Sequence, residues 1–133
     1  MNRREPSKNL IRLMIASFYG AGVLVHLLVV TKVIPYSWVN GGLSPSYEAQ
    51  AIQSGVSIVV LGVLGMVVWG ISKRTQLRTW QKRLLYALVA FWILGFVMQL
   101  LGTPFERYVM SVALFVGVIS HVRLAQVIRS RRR

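Results

Sequence analysis

His26 and His121 are the residues of this 133-residue chain best suited to ligate a metal or move a proton. Near them, in otherwise apolar sequence, stand Gln53 and Ser57, four apart on one helix face, then Gln99, Ser111 and the indole of Trp92. Two histidines in separate segments raise haem ligation at once. Depth opposes it. His26 falls about five residues from one end of its apolar segment and His121 about five or six from the opposite end of its own, roughly 15 Å apart in depth at 1.5 Å per residue. Bonds of about 2 Å cannot bring both rings to one metal. There is no cysteine, so thiolate ligands, disulfides and a cysteine nucleophile are excluded. The expectation is no metal, no cofactor and no catalytic residue.

The acidic residues narrow the chemistry further. Glu48 and Glu106 sit at segment ends, and Glu5 lies in the N-terminal tail. A proton-coupled carrier normally needs an ionisable relay within its apolar segments. Small multidrug-resistance transporters and emopamil-binding-type sterol isomerases resemble this chain in their four spans. The intramembrane carboxylates of both have no counterpart here, so the likeness is one of topology alone.

What remains is a binding site. His26, Gln53 and Gln99 share one depth, and Trp92 lies deeper. Asn40, Gly41, Gly42 and Glu48 fall in or beside the connection above them. These residues predict a small pocket floored by Trp92, ringed by His26, Gln53 and Gln99, and lidded by Asn40 and Glu48. The competing reading is that the same groups hydrogen-bond between helices and hold them together. His121 reads as a packing or headgroup-level histidine at the other end.

The elements that must position these side chains are four apolar stretches, roughly residues 10–30, 51–71, 84–101 and 108–127. A hydrocarbon core of about 30 Å takes about 20 helical residues to cross. The chain is 55% hydrophobic and 14% charged, against about 25% charged in soluble domains. Its mean hydropathy is +0.58. Residues 56–69 contain one polar side chain, Ser57, so a soluble amphipathic helix does not fit. The expected fold is an all-α, integral membrane four-helix antiparallel bundle forming a single domain over residues 1–133. Arg3 and Arg4 precede the first stretch as in a signal peptide, but that stretch exceeds the usual 7–15-residue apolar region and reads as a retained span.

Net charge is +13. Arg3, Arg4, Lys8 and Arg12, the 73–83 loop, and the C-terminal Arg123, Arg129 and Arg131–Arg133 all fall on one side of four crossings. Only Lys32 and Arg107 fall on the other. The positive-inside rule then predicts both termini in the cytoplasm. The basic clusters abut spans and lack interleaved aromatic platforms, so they predict contact with anionic headgroups and no nucleic acid. The expected location is a bacterial inner or plasma membrane.

Small residues four apart, Ala16 with Gly20, Ala51 with Gly55 and Ala113 with Gly117, predict close helix packing, within one chain or in a homodimer. Pro35 is expected to end the first helix. Ser44, Pro45 and Glu48 read as the start of the second, with Ser44 as its cap.

The stretch from His26 through Ile34, Pro35, Trp38, Asn40, Gly41 and Gly42 resembles a pattern in small, uncharacterised four-span membrane proteins of Gram-positive bacteria. The likeness implies that His26, Trp38, Asn40, Gly41 and Gly42 belong to one feature on the outer face. It brings no activity. The expected function is non-catalytic: binding a lipid or small amphiphile in an outer-leaflet pocket, or serving as an accessory subunit of a larger membrane complex. The alternatives are a small homo-oligomeric transporter or channel, and a lipid-processing enzyme using His26 as base with Glu48.

Overall fold

The computed structural model describes residues 8–129. Arg3, Arg4 and Arg131–Arg133, part of the charge pattern above, lie outside the described residues. Four long helices account for most of the chain: α1 (Lys8–Val30), α2 (Tyr47–Ser72), α3 (Thr79–Leu100) and α4 (Ser111–Arg129), the last entered through a π-helical turn at Glu106–Met110. No strand occurs among the described residues. All four helical segments, the fourth counted from Glu106, are long and apolar enough to cross a membrane.

The helices run past the apolar stretches that announce them. α3 begins at Thr79, five residues before its apolar part, with the buried Gln81 side chain accepting from the Arg78 backbone N–H at 2.9 Å. α2 begins at Tyr47. Its cap is Ser46, not Ser44: Ser46 Oγ accepts from Ala49 N at 3.2 Å. Ser44 lies two residues before the cap position, and its hydroxyl accepts from Asn40 and donates to the Gln50 side chain.

α1 stops at Val30, well before Pro35. Lys32 adopts a left-handed φ of 62°. Val33 N then reaches back to Leu28 O at 2.9 Å, and Lys32 N to Val29 O at 3.0 Å. That is a Schellman ending, normally built on glycine. Proline therefore follows this helix end without causing it.

Three contacts set the packing: α1 lies against α2 and α4, and α4 against α3. α2 and α3 follow one another in sequence yet barely touch. Pairing is head to tail. Arg12 near the start of α1 donates to Ser72 O at the end of α2, and the Tyr47 hydroxyl donates to Val30 O. Ile11, Ile15, Phe18, Val68, Ile71, Leu85, Leu88, Leu124 and Ile128 form the core, at the basic end and the middle of the molecule. At the opposite end, beneath the long loop of residues 31–46, polar side chains take the place of core.

Of Gly20, Gly55 and Gly117, which sequence spacing singles out, Gly117 alone makes a close approach, and Gly22 and Gly65 join it. Gly22 meets Leu61, Gly65 meets the Tyr19 ring and Gly117 meets the Phe18 ring. Ala16 and Gly20 face outward, and Gly55 and Gly62 also have open space where a Cβ would stand. Large apolar side chains such as Ile52, Val59, Met66, Phe91, Leu94 and Phe115 are exposed on the outer surface.

Candidate functional site

At the middle of the molecule, Tyr19 OH and His121 Nε2 are 3.0 Å apart, and His121 Nδ1 lies 2.7 Å from Gly117 O. Phe18, Tyr19, Trp92 and His121 stack edge to face or tilted around this pair. His121 is fully buried. It is therefore a packing histidine, as one arm of the expectation had it.

His26 lies two turns further along α1, below the long loop. Its Nδ1 is 3.2 Å from Ser54 Oγ. Ser54 Oγ accepts from Gln50 Nε2 at 3.2 Å. Gln50 in turn accepts from Ser44, which accepts from Asn40 Nδ2 at 3.3 Å. Asn40 Nδ2 also donates to Gln53 Oε1 at 3.0 Å. A polar ladder thus descends from the loop into the space between α1 and α2. The Ser54–His26 contact is the kind a nucleophile and base make, but Ser54 is fully buried and no carboxylate orients the ring.

The second connection closes the other side. Asn40, Gly41 and Gly42 all take left-handed φ values of 56°, 65° and 71°. Glycine takes this backbone readily, and asparagine tolerates it. The turn aims Gly41 N at Glu106, whose two carboxyl oxygens accept it at 3.1 and 3.0 Å. Thr103 N donates to the same carboxyl at 2.8 Å. Thr103 also donates its hydroxyl to Trp38 O, and the Trp38 and Phe105 rings meet at 5.7 Å. Glu106 is only 4% exposed. It sits on the π-helical turn, a distortion that often marks functional sites.

These elements enclose a cavity of about 500 Å³ lined by His26, Asn40, Gln50, Gln53, Gln99 and Glu106, with Met98, Leu101 and Met110. A second space of about 310 Å³ opens where α2 and α3 stand apart, lined by Val56, Val60, Phe91, Trp92, Gly95 and Leu114. His26, Gln99 and Met110 line both, so the spaces adjoin. Ligand sites typically measure about 300–1,000 Å³.

His26, Gln53, Gln99 and Asn40 all line the polar cavity. Two expectations need correction. Trp92 floors the apolar crevice and is not part of the polar cavity's lining, because α3 stands away from α2 at that level. Glu48 is exposed at the start of α2 and lines neither space. The carboxylate of the site is Glu106.

Gln50, Ser54 and Glu106 are the residues that sequence reasoning missed. Gln50 and Ser54 repeat the four-residue spacing of Gln53 and Ser57 one turn earlier, and an all-apolar helix gives no phase by which to choose between them. Glu106, beside Arg107, reads as half of a surface ion pair. Of the ringing groups, His26 and Gln53 find hydrogen-bond partners within the protein. The exception is Gln99, whose Oε1 is buried without a hydrogen-bond partner; Trp92 Nε1 is likewise buried without one. Comparison with protein-family models, curated proteins and solved structures finds no match.

Proposed function

We propose that this is a bacterial inner-membrane protein whose four helices cross the bilayer as an antiparallel bundle with both termini cytoplasmic. In this reading it binds a lipid or small amphiphile, without transforming it, in a pocket open to the outer leaflet. Helix length and apolarity support insertion. The lopsided Lys and Arg distribution supports the orientation and an attraction of the basic side for anionic headgroups. The likeness to small four-span proteins of Gram-positive bacteria belongs to the same proposal.

The observation that carries the binding reading is Gln99. Its carbonyl oxygen is buried and unpaired where a polar cavity meets a crevice open sideways between two helices. A buried acceptor left unmatched costs about 1–3 kcal/mol, a deficit that a ligand's donor removes once the Gln99 amide turns into the cavity. A polar chamber continuous with an apolar lateral slot has the shape of an amphiphile entering from the bilayer.

Native mass spectrometry of protein extracted gently from its own membrane tests this. A retained small molecule of defined mass, diminished in Gln99→Leu and in His26→Ala, is the expected result. Bare protein in every preparation would refute it. A second reading, association with another copy or a larger membrane complex, is favoured by the outward-facing small residues Ala16, Gly20, Gly55 and Gly62. It predicts co-purification with a second polypeptide.

A further inference from the structure

We infer that the ligand carries a protonated amine: its ammonium meets Glu106 and Gln99 in the polar cavity while its alkyl chain lies in the crevice between α2 and α3. This inference rests on the amphiphile-binding reading above and specifies the ligand's chemical class.

Charge comes first. The lining of the polar cavity includes one carboxyl group and no lysine or arginine. Glu106 is buried, and its hydrogen-bond partners are two backbone N–H groups, those of Gly41 and Thr103. Neither is a cation. Arg107, the next residue, spends its guanidinium on the carbonyls of Leu100 and Gly102. A buried carboxylate is strongly disfavoured unless a counter-charge or a full set of donors meets it. An ionised carboxyl has about four acceptor directions, and two donors leave capacity for more.

Hydrogen-bond polarity comes second. The unmatched group at the junction of the two spaces, Gln99 Oε1, is an acceptor. A donor head matches the amide as it stands. An ammonium offers three donors and no acceptor, which suits two acceptors on one cavity wall. A phosphate or carboxylate head would meet Glu106 with like charge and find no cation in the lining.

The apolar part follows from the second space. Its wall is built from Val56, Val60, Leu61, Phe91 and Leu114, and it adjoins the polar cavity at Gln99 and His26. A head held at Glu106 thus directs its chain down between the two helices that do not pack, where the chain replaces missing helix–helix contact.

The test uses the full chain in phosphatidylcholine nanodiscs. Dodecylammonium, dodecanol and dodecyl phosphate are added at equal mole fraction, and retained amphiphile is counted by native mass spectrometry. The wild type is expected to retain dodecylammonium over dodecanol by at least about tenfold, with less dodecyl phosphate than either. Glu106→Gln should erase that preference while dodecanol retention persists. Because Glu106 also ties two loops together, Gln53→Lys is the second variant. It brings a cation to the cavity rim, removes no direct hydrogen-bond partner of Glu106 while giving up the acceptor of Asn40 Nδ2, and should reduce dodecylammonium retention to the dodecanol level. Equal retention of all three heads by the wild type, or a preference that survives Gln53→Lys, overturns the amine assignment and leaves the pocket standing. Retention of none of the three overturns the pocket reading as well.

Discussion

Alanine at two glycines should change stability in opposite directions. A Cβ on Gly117 would stand 2.6, 2.7 and 2.8 Å from three atoms of the Phe18 ring. Unstrained carbon contacts lie at about 3.5–4.0 Å, so the ring must retreat by roughly 1 Å. It has nowhere to go: Tyr19, Trp92 and His121 hold it at centroid distances of 4.9, 5.0 and 5.9 Å. Moving the backbone of α4 instead would stretch the Tyr19–His121 contact between α1 and α4. Overpacking of this kind costs about 1–3 kcal/mol. A Cβ on Gly62 meets nothing within 4 Å. Both glycines lie inside helices, and replacing either by alanine gains up to about 1 kcal/mol of helix propensity. That gain cancels in the comparison. Gly117→Ala should therefore be less stable than Gly62→Ala by about 1–3 kcal/mol. The wild type should fall below Gly62→Ala and at or above Gly117→Ala. Equilibrium unfolding in mixed micelles, followed by tryptophan fluorescence, measures all three. A Gly117→Ala protein as stable as Gly62→Ala would refute the packing of α1 on α4. A destabilised Gly62→Ala would show that the open face of α2 is packed in the membrane.

Three further outcomes are expected. Tyr19→Phe leaves His121 Nε2 buried without its partner and should destabilise the fold by about 1–3 kcal/mol; the cost should shrink in a His121→Phe background, read by a double-mutant cycle in the same unfolding assay. Glu106→Ala removes the acceptor of Gly41 N and Thr103 N, so hydrogen exchange at both amides should accelerate while the Tyr19–His121 region keeps its protection. The chain has no cysteine, so Ser37→Cys and Thr75→Cys give clean single-thiol proteins. A membrane-impermeant maleimide applied to intact bacteria should label the first and spare the second, and the reverse pattern would invert the proposed topology.

Much of the architecture was legible in one dimension. Whether a stretch of about 20 residues is apolar throughout depends on composition alone, so the four long helices and their order could be read directly. The Asn40, Gly41 and Gly42 turn was legible for a similar reason, since glycine takes positive φ readily and asparagine tolerates it. Position along the helix grouped His26, Gln53 and Gln99, because it follows from residue number at a fixed rise, and Asn40 fell in the connection above them.

Rotation about each helix axis was not legible. A helix that is apolar all round carries no moment to orient it, so sequence could not tell that Gln50 and Ser54 face inward while Gly20 faces outward. Nor could it show that α2 and α3, neighbours along the chain, stand apart and open a crevice beside Trp92. The exchange of Glu48 for Glu106 is the clearest case. Both are carboxylates at the ends of apolar stretches, and only the approach of Gly41, 65 residues away in sequence, buries one of them and leaves the other at the surface. Sequence by itself determined which segments are long and apolar enough to cross a membrane and where along its helix each side chain lies. Tertiary structure alone decided which face turns inward and which polar groups find partners, because those depend on contacts between residues that no local pattern relates.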